Sequence, residues 1–393
     1  MGDACGPQEA TIIRRGPVEA GSCRTTCVEA VVGPAKELHI TAATVGAGLV
    51  DRQAAEAYSS IAGLLAEADA TVVRERVFAS SRCGEAVLAA RERSLGATGA
   101  VTLVDGSPCW GEGLAGVQLQ AVAGADVSPI AVDGRTVGAS YELGGVRHFQ
   151  LSDLRASLST GTREGDAAAM FSLARRAIAA PGLCFSYVAR TWIYLAGILD
   201  WYAAFNRVRT RYYTEDGVLG PRATAHTPAS TGIGARPHCG TWCTMDLAAA
   251  AEVATGAPVP VHRLVNPRQN EATSYGSAFS RGLAFRYGGL EAAHISGTAA
   301  IDEAGVSVHL EDAAGQVERT VNNVAALLGT RDLDLGDLCS ATVFIKRAED
   351  EPLVREALSA RAPAFADGVF VQADVCRPEL LFEADGVALK AVG

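Results

Sequence analysis

Short runs rich in β-branched and aromatic residues alternate along the chain with amphipathic stretches of helical period, and the alternation is passed through three times. In the first pass residues 38–42 predict a strand, apolar residues at Ala54, Ile61, Leu64 and Leu65 predict a helix, and residues 71–78 predict a second strand. The second pass runs from a strand at 147–151 through a helix around 169–179 to a strand-like run at 185–195. The third has a strand at 293–298, a helix through Val317, Val321, Val324 and Leu327, and a strand at 339–345. Each pass continues with another helix (84–95, 200–212 and 351–361) and should close with paired strands, most clearly 368–376 and 380–383. The pattern predicts an α/β (α+β) chain of tandem related units.

A histidine falls in the first strand of each pass, at His39, His148 and His294. As equivalent positions of separate units these read as structural residues, and as ligands only if the fold brings them together. The Gly/Asp-containing stretch 123–145 and the Gly/Pro-rich stretch 255–267 are candidate boundaries. They suggest units at 1–130, 140–260 and 265–393, the first two degenerate and the last carrying the active site.

Composition narrows the class. The 393 residues are 49% hydrophobic and 20% charged, which suits several packed units and not a disordered chain. No apolar run approaches the roughly 18 residues of a membrane helix, and the N-terminus lacks a basic start followed by an apolar stretch. The expected location is cytoplasmic. A net charge of −10 argues against a nucleic-acid or anionic-membrane partner.

The ten cysteines read as reduced thiols. Cys23/Cys27 and Cys239/Cys243, with His238 beside the second pair, have C-x3-C spacing and no matched partner pair nearby, so no metal is expected. Thr227 to Gly234 looks like a phosphate loop but lacks the Gly-Lys-Ser/Thr ending. No cofactor is signalled.

Differences between the passes point to chemistry. Aligning the ends of passes one and three sets Cys109-Trp110 against Cys376-Arg377, and sets Glu383 against the acid-free region from Gly116 to Gln120. Arg377, ending a strand, suits bidentate capture of a substrate carboxylate. Glu383 lies on an apolar strand, where burial raises a carboxyl pKa and lets it donate a proton; a structural Arg–Glu ion pair is the alternative. Lysine occurs only at 36, 346 and 390, so codon bias explains most of the arginines. Arg190 and Arg281 nevertheless sit in apolar or small-residue surroundings, where an unpaired guanidinium is costly. Three such arginines with one obvious acid suggest that a ligand supplies the missing negative charge.

The C-terminal pass resembles the Rid (reactive intermediate deaminase) family in Ile295-Ser296-Gly297-Thr298-Ala299 and in Cys376-Arg377 through Glu383. From about His148 onward the chain resembles chorismatases, two-part Rid-like enzymes. The matching stretches are Arg190 to Leu195, Phe205-Asn206 with Arg209, Pro228 to Gly234, Asn266 to Gln269, Ser277 to Arg281 and Val375 to Glu383. The resemblance implies Rid-like, chorismate-mutase-like units forming an intramolecular pseudo-trimer, with the copy-three site facing the copy that bears Arg190. It implies Glu383 as the acid that protonates the enolpyruvyl methylene of chorismate, and Arg190, Arg281 and Arg377 as the grip on two carboxylates. Tyr275 and Ser280 would border the substrate. Gly282 and Cys376 go with the 3-hydroxybenzoate-forming type, and Cys376 stays open between a chemical and a packing role. The stretch between Gln269 and Phe279 is shorter than in chorismatases.

Three readings follow: a pyruvate-releasing chorismatase-like lyase or hydrolase of secondary metabolism, a Rid-like enamine or imine hydrolase or cyclase, and a non-catalytic small-anion binding protein. A chain carrying three units is expected to be a monomer with a small carboxylate substrate as its partner.

Overall fold

The computed structural model describes residues 9–392 except 98, 222 and 224, and of residue 275 only the backbone. Unit one comprises β1 (Ala10–Ala20), β2 (Cys23–Val32), β3 (Ala35–Thr44), α1 (Val50–Ala68), β4 (Thr71–Ala79), α2 (Gly84–Leu95), β5 (Thr102–Asp105) and β6 (Leu114–Ala123). Unit two comprises β7 (Val127–Val132), β8 (Arg135–Leu143), β9 (Val146–Leu154), α3 (Arg163–Ala179), β10 (Val188–Leu195), α4 (Ile198–Glu215), β11 (Ala229–Ile233), β12 (Arg236–Pro237) and β13 (Cys243–Glu252). Unit three comprises β14 (His262–Leu264), β15 (Gly282–Tyr287), β16 (Leu290–Ala299), α5 (Ala313–Gly329), β17 (Leu338–Ile345), α6 (Glu351–Arg361), α7 (Pro363–Ala366), β18 (Val369–Gln372) and β19 (Phe382–Ala391).

The three sheets share one topology. Their orders are β1-β2-β3-β6-β4-β5-β12, β11-β10-β13-β9-β8-β7 and β14-β15-β16-β19-β17-β18. In each, the last long strand inserts between two earlier ones and a short parallel strand lies beyond. A register irregularity recurs between Val72 and Arg74, Val188 and Arg190, and Leu338 and Ser340. It fixes the equivalences: Arg74, Arg190 and Ser340 correspond, and they face Gln120, Ala248 and Val387. Two residues on, Arg76, Trp192 and Thr342 face Gln118, Asp246 and Asp385. Phe78, Tyr194 and Phe344 follow, and the last faces Glu383.

Helices cover one face of each sheet. On α1 the buried residues Ala54, Tyr58, Ile61 and Leu65 recur at helical spacing. The Thr162 side chain accepts from Gly165 N and that of Asp312 from Gly315 N, capping α3 and α5. The other sheet faces meet in one apolar cluster that includes Val28 and Phe78 of unit one, Tyr141 and Trp192 of unit two, and Phe285 and Phe344 of unit three. The sheet faces on which strand alternation places Glu383 and Asp385 are therefore contact faces between units.

Several expectations shift. The hairpin of β1 and β2 is additional; β1 is largely exposed, contains Pro17 and breaks register between Arg15 and Val18, so its alternation is weak. Residues 185–187 form a 3₁₀ turn ahead of β10. The strand expected at 368–376 ends at Gln372, so Arg377 sits on a turn beyond it and not at a strand end. The histidines are not strictly equivalent: His39 and His294 face Gln120 and Val387, whereas Gln150 holds that place in unit two and His148 lies two residues earlier.

Candidate active site

Strand alternation sends Phe382 and Ala384 of β19 into the helix-side core and leaves Glu383 and Asp385 on the opposite face. Glu383 is 4% exposed. Gly297 of β16 makes its space: a Cβ there would stand 2.1 Å from Glu383 Oε1 and 3.3 Å from Thr231 Cγ2. Burial pushes the Glu383 carboxyl up to about 8; the Asp385 charge adds to the rise, and Arg281 and Arg190 oppose it. Among the described residues no donor lies within hydrogen-bonding distance of this carboxyl.

Asp385 is the acid that sequence reasoning missed. Its Oδ2 accepts from Arg190 Nη2 at 3.0 Å and from Thr231 Oγ1 at 2.6 Å, across the junction of units two and three. Arg190 also donates to Thr231 Oγ1 at 2.5 Å and lies 4.6 Å from the Trp192 ring centroid. The expectation that Arg190 lacks an acid is corrected: it is wholly buried and paired. The same device recurs between units one and two, where Thr102, equivalent to Thr231, donates to Asp246, equivalent to Asp385. Arg74 and Arg76 stand 4.3 and 4.5 Å from the same Trp192 ring. At the third junction Val369 and Gln118 occupy these places. The position of Glu383 itself is Gly116 in unit one and Thr244 in unit two, so a carboxylate there is peculiar to unit three.

An open cleft of about 740 Å³ lies beside this face, lined by Tyr202 and Asn206 of α4 with Gly276, Ser277, Cys376 and Arg377 of unit three. Arg377 Nη1 donates to Gly305 O at 3.0 Å and Ser307 Oγ at 3.2 Å while lining the cleft. Burial pushes the Cys376 thiol up to about 12, with the Glu383 charge adding to the rise, so the thiol is neutral near pH 7. Arg281 is 1% exposed; its Nε and Nη2 donate to Asn270 O at 2.8 and 2.6 Å, and it lies 5.4 Å from the Phe279 ring. Ser280 Oγ donates to Thr227 O, tying unit three to unit two. Gly282 turns to the opposite face from Arg281, where a Cβ would meet Leu264 and His294 O at 3.0 Å. The Tyr275 side chain lies outside the described residues.

The structure thus gathers Glu383, Cys376, Arg377 and Arg281 at one inter-unit site. It places Arg190 beneath that site on Asp385, and sets Gly282 against the core. Tyr202 and Asp385 were not singled out from the sequence, and Asn206 was noted only within a matching stretch. The signal available was the period-two spacing of Glu383 and Asp385, and the helical face shared by Tyr202 and Asn206.

The three histidines do converge, together with Glu37, on a central cavity of about 20 Å³, room for about one water. His39 Nε2 lies 2.5 Å from Glu37 Oε1, and His148 stacks on Tyr141 with ring centroids 5.0 Å apart. Among the described residues no group of three or more His, Cys, Asp or Glu is arranged to hold a metal ion, and no helix is long and apolar enough to cross a membrane.

No family model matches the chain. A chorismatase from Streptomyces hygroscopicus is 31% identical over 226 residues, 52% of this chain and 62% of that protein. A chorismatase from Streptomyces rapamycinicus is 27% identical over 222 residues, covering 52% and 65%. The matches thus span less than two thirds of either relative. A chorismatase crystal structure superposes with a TM-score of 0.58 at 22% identity, covering 81% of this chain and 93% of that one. The fold is that of the chorismatase class of tandem α/β proteins. In sequence the chain is similar to chorismatases over about half of its length.

Proposed function

We propose that the protein releases pyruvate from chorismate, or from a closely related anionic enol ether, with Glu383 as proton donor. The observation that carries this reading is a carboxyl buried between units, raised to about 8 and accepting no hydrogen bond from any described residue, at a site that also holds Arg281 and Arg377. A protonated carboxylic acid at neutral pH is a competent general acid. Transfer of its proton to the enolpyruvyl methylene carbon leaves positive charge on the ether carbon, and the arginines hold the substrate carboxylates. Cleavage of the bond between the ring and the ether oxygen then yields pyruvate. The oxygen of the neighbouring ring hydroxyl then moves to the vacated ring carbon, and loss of a ring proton that restores Glu383 gives 3-hydroxybenzoate without water, whereas the hydrolytic outcome adds one water at the ether carbon. Cys376 beside Glu383 supports the aromatic product. Gly282 bears on the product through the core packing behind Arg281.

We read the chain as a monomeric pseudo-trimer of secondary metabolism, with a small carboxylate substrate and neither nucleic acid nor membrane as partner. Incubation with chorismate, following pyruvate enzymatically and the aromatic product by chromatography, tests the activity. Absence of both products overturns the reading. The short stretch between Gln269 and Phe279 favours a second reading, hydrolysis or cyclisation of an enamine or imine, tested by ammonia release from 2-aminoacrylate.

A further inference from the structure

We propose that Asp385 is a positioning residue that keeps Glu383 in its proton-donating form, by holding the Arg190 guanidinium on its own carboxylate and setting a second negative charge two residues along the strand. This rests on the acid role proposed for Glu383. Side chains two residues apart on a strand share a face about 7 Å apart, so an ionised Asp385 opposes ionisation of Glu383. The charged and titratable groups facing Glu383 are Asp385 on its own strand, Arg281 ahead of β15, Arg190 of β10, Cys376 of the turn after β18 and Tyr202 of α4. Two of these are cations that favour the carboxylate. Of the two, Arg190 is held off by a salt bridge at 3.0 Å to a carboxylate that also accepts from Thr231.

The chain contains its own comparison. The Thr–Asp contact recurs as Thr102 and Asp246, but Thr244 occupies the place of Glu383 there. If the contact served only to join units, the two copies would respond alike to loss of the acid. If Asp385 sets the state of Glu383, only its loss moves a titration.

The experiment compares Asp385→Asn, Asp385→Ser and Asp246→Asn with the unmodified protein. Glu383 protonation is read by difference infrared spectroscopy against the matching Glu383→Gln background, and the alkaline limb of kcat is read with chorismate. Loss of the Asp385 charge frees Arg190 and removes the repulsion, and both effects lower the Glu383 pKa. Asp385→Asn and Asp385→Ser are expected to move the infrared titration and the alkaline limb down together by about one pH unit or more, and Asp385→Glu to restore them. Asp246→Asn is expected to lower the melting temperature and move neither. An unmoved infrared titration in both neutral Asp385 variants, or an equal shift in Asp246→Asn, overturns the proposal. A shifted infrared titration in protein that never turns over chorismate upholds the positioning role and overturns the functional reading instead.

Discussion

Gly297 and Glu383 share a space that holds only one of them: a Cβ at residue 297 would stand 2.1 Å from the carboxyl oxygen Oε1. Gly297→Ala should push the acid from its seat while leaving β16 intact. Displacement of a reacting group by about 1 Å can cost on the order of 100-fold in rate. The expected outcome is a loss of that size in kcat, with an unchanged circular dichroism spectrum.

On the proposed mechanism Glu383→Gln removes the donated proton, and loss of a general acid costs about 100- to 10,000-fold. In the unmodified protein the rate should fall as the pH rises through about 8, because the donor ionises.

Glu383→Gln should change stability in the opposite sense to activity. A carboxyl whose folded pKa lies above its ordinary value of 4.5 contributes stability that is complete below that value and is lost as the pH rises towards 8. Glu383→Gln is therefore expected to melt higher than the unmodified protein, with the gap widening between pH 5 and 8. Thermal melts across that range check the sign; a constant gap would contradict a raised Glu383.

Cys376 should react slowly. With its thiol pushed up to about 12, site-resolved alkylation by iodoacetamide at pH 7 should label the exposed Cys184 and Cys239 well before Cys376. Preferential labelling of Cys376 would instead make it an activated thiol.

Trp192 supports three guanidinium groups at 4.3 to 4.6 Å. Trp192→Ala should destabilise the fold by about 3–5 kcal/mol through cavity formation, read as a lower midpoint in urea unfolding.

The threefold alternation of strands and helices was legible in the sequence because each helix buries one periodic face and the central strands hold short runs of β-branched and aromatic residues. The limits of α2 and α6 match the expected ones. The β1–β2 hairpin escaped because an edge strand with Arg14, Arg15 and Pro17 has little alternation to read. At the site, Glu383 was visible as an acid present in one pass only. The tie of Arg190 to Asp385 was not, because its partners lie 195 residues apart in the chain, and local surroundings made a paired arginine look unpaired. The histidines illustrate the converse: similarity of motif suggested equivalence, and ladder register placed His148 two residues away from His39 and His294.

Joining the three units in one chain changes how often a costly group must be tolerated. In a ring of identical subunits, an inward carboxylate at the place of Glu383 would occur three times, each desolvated at several kcal/mol. Here glycine and threonine stand at the other two places. At the junction of units one and two His238 stands against Gly84, and at that of units three and one Trp110 and Arg355 line a smaller cleft of about 420 Å³. Symmetry of the backbone coexists with a difference among the junctions: one carries the buried carboxyl, and the other two are free to contribute stability.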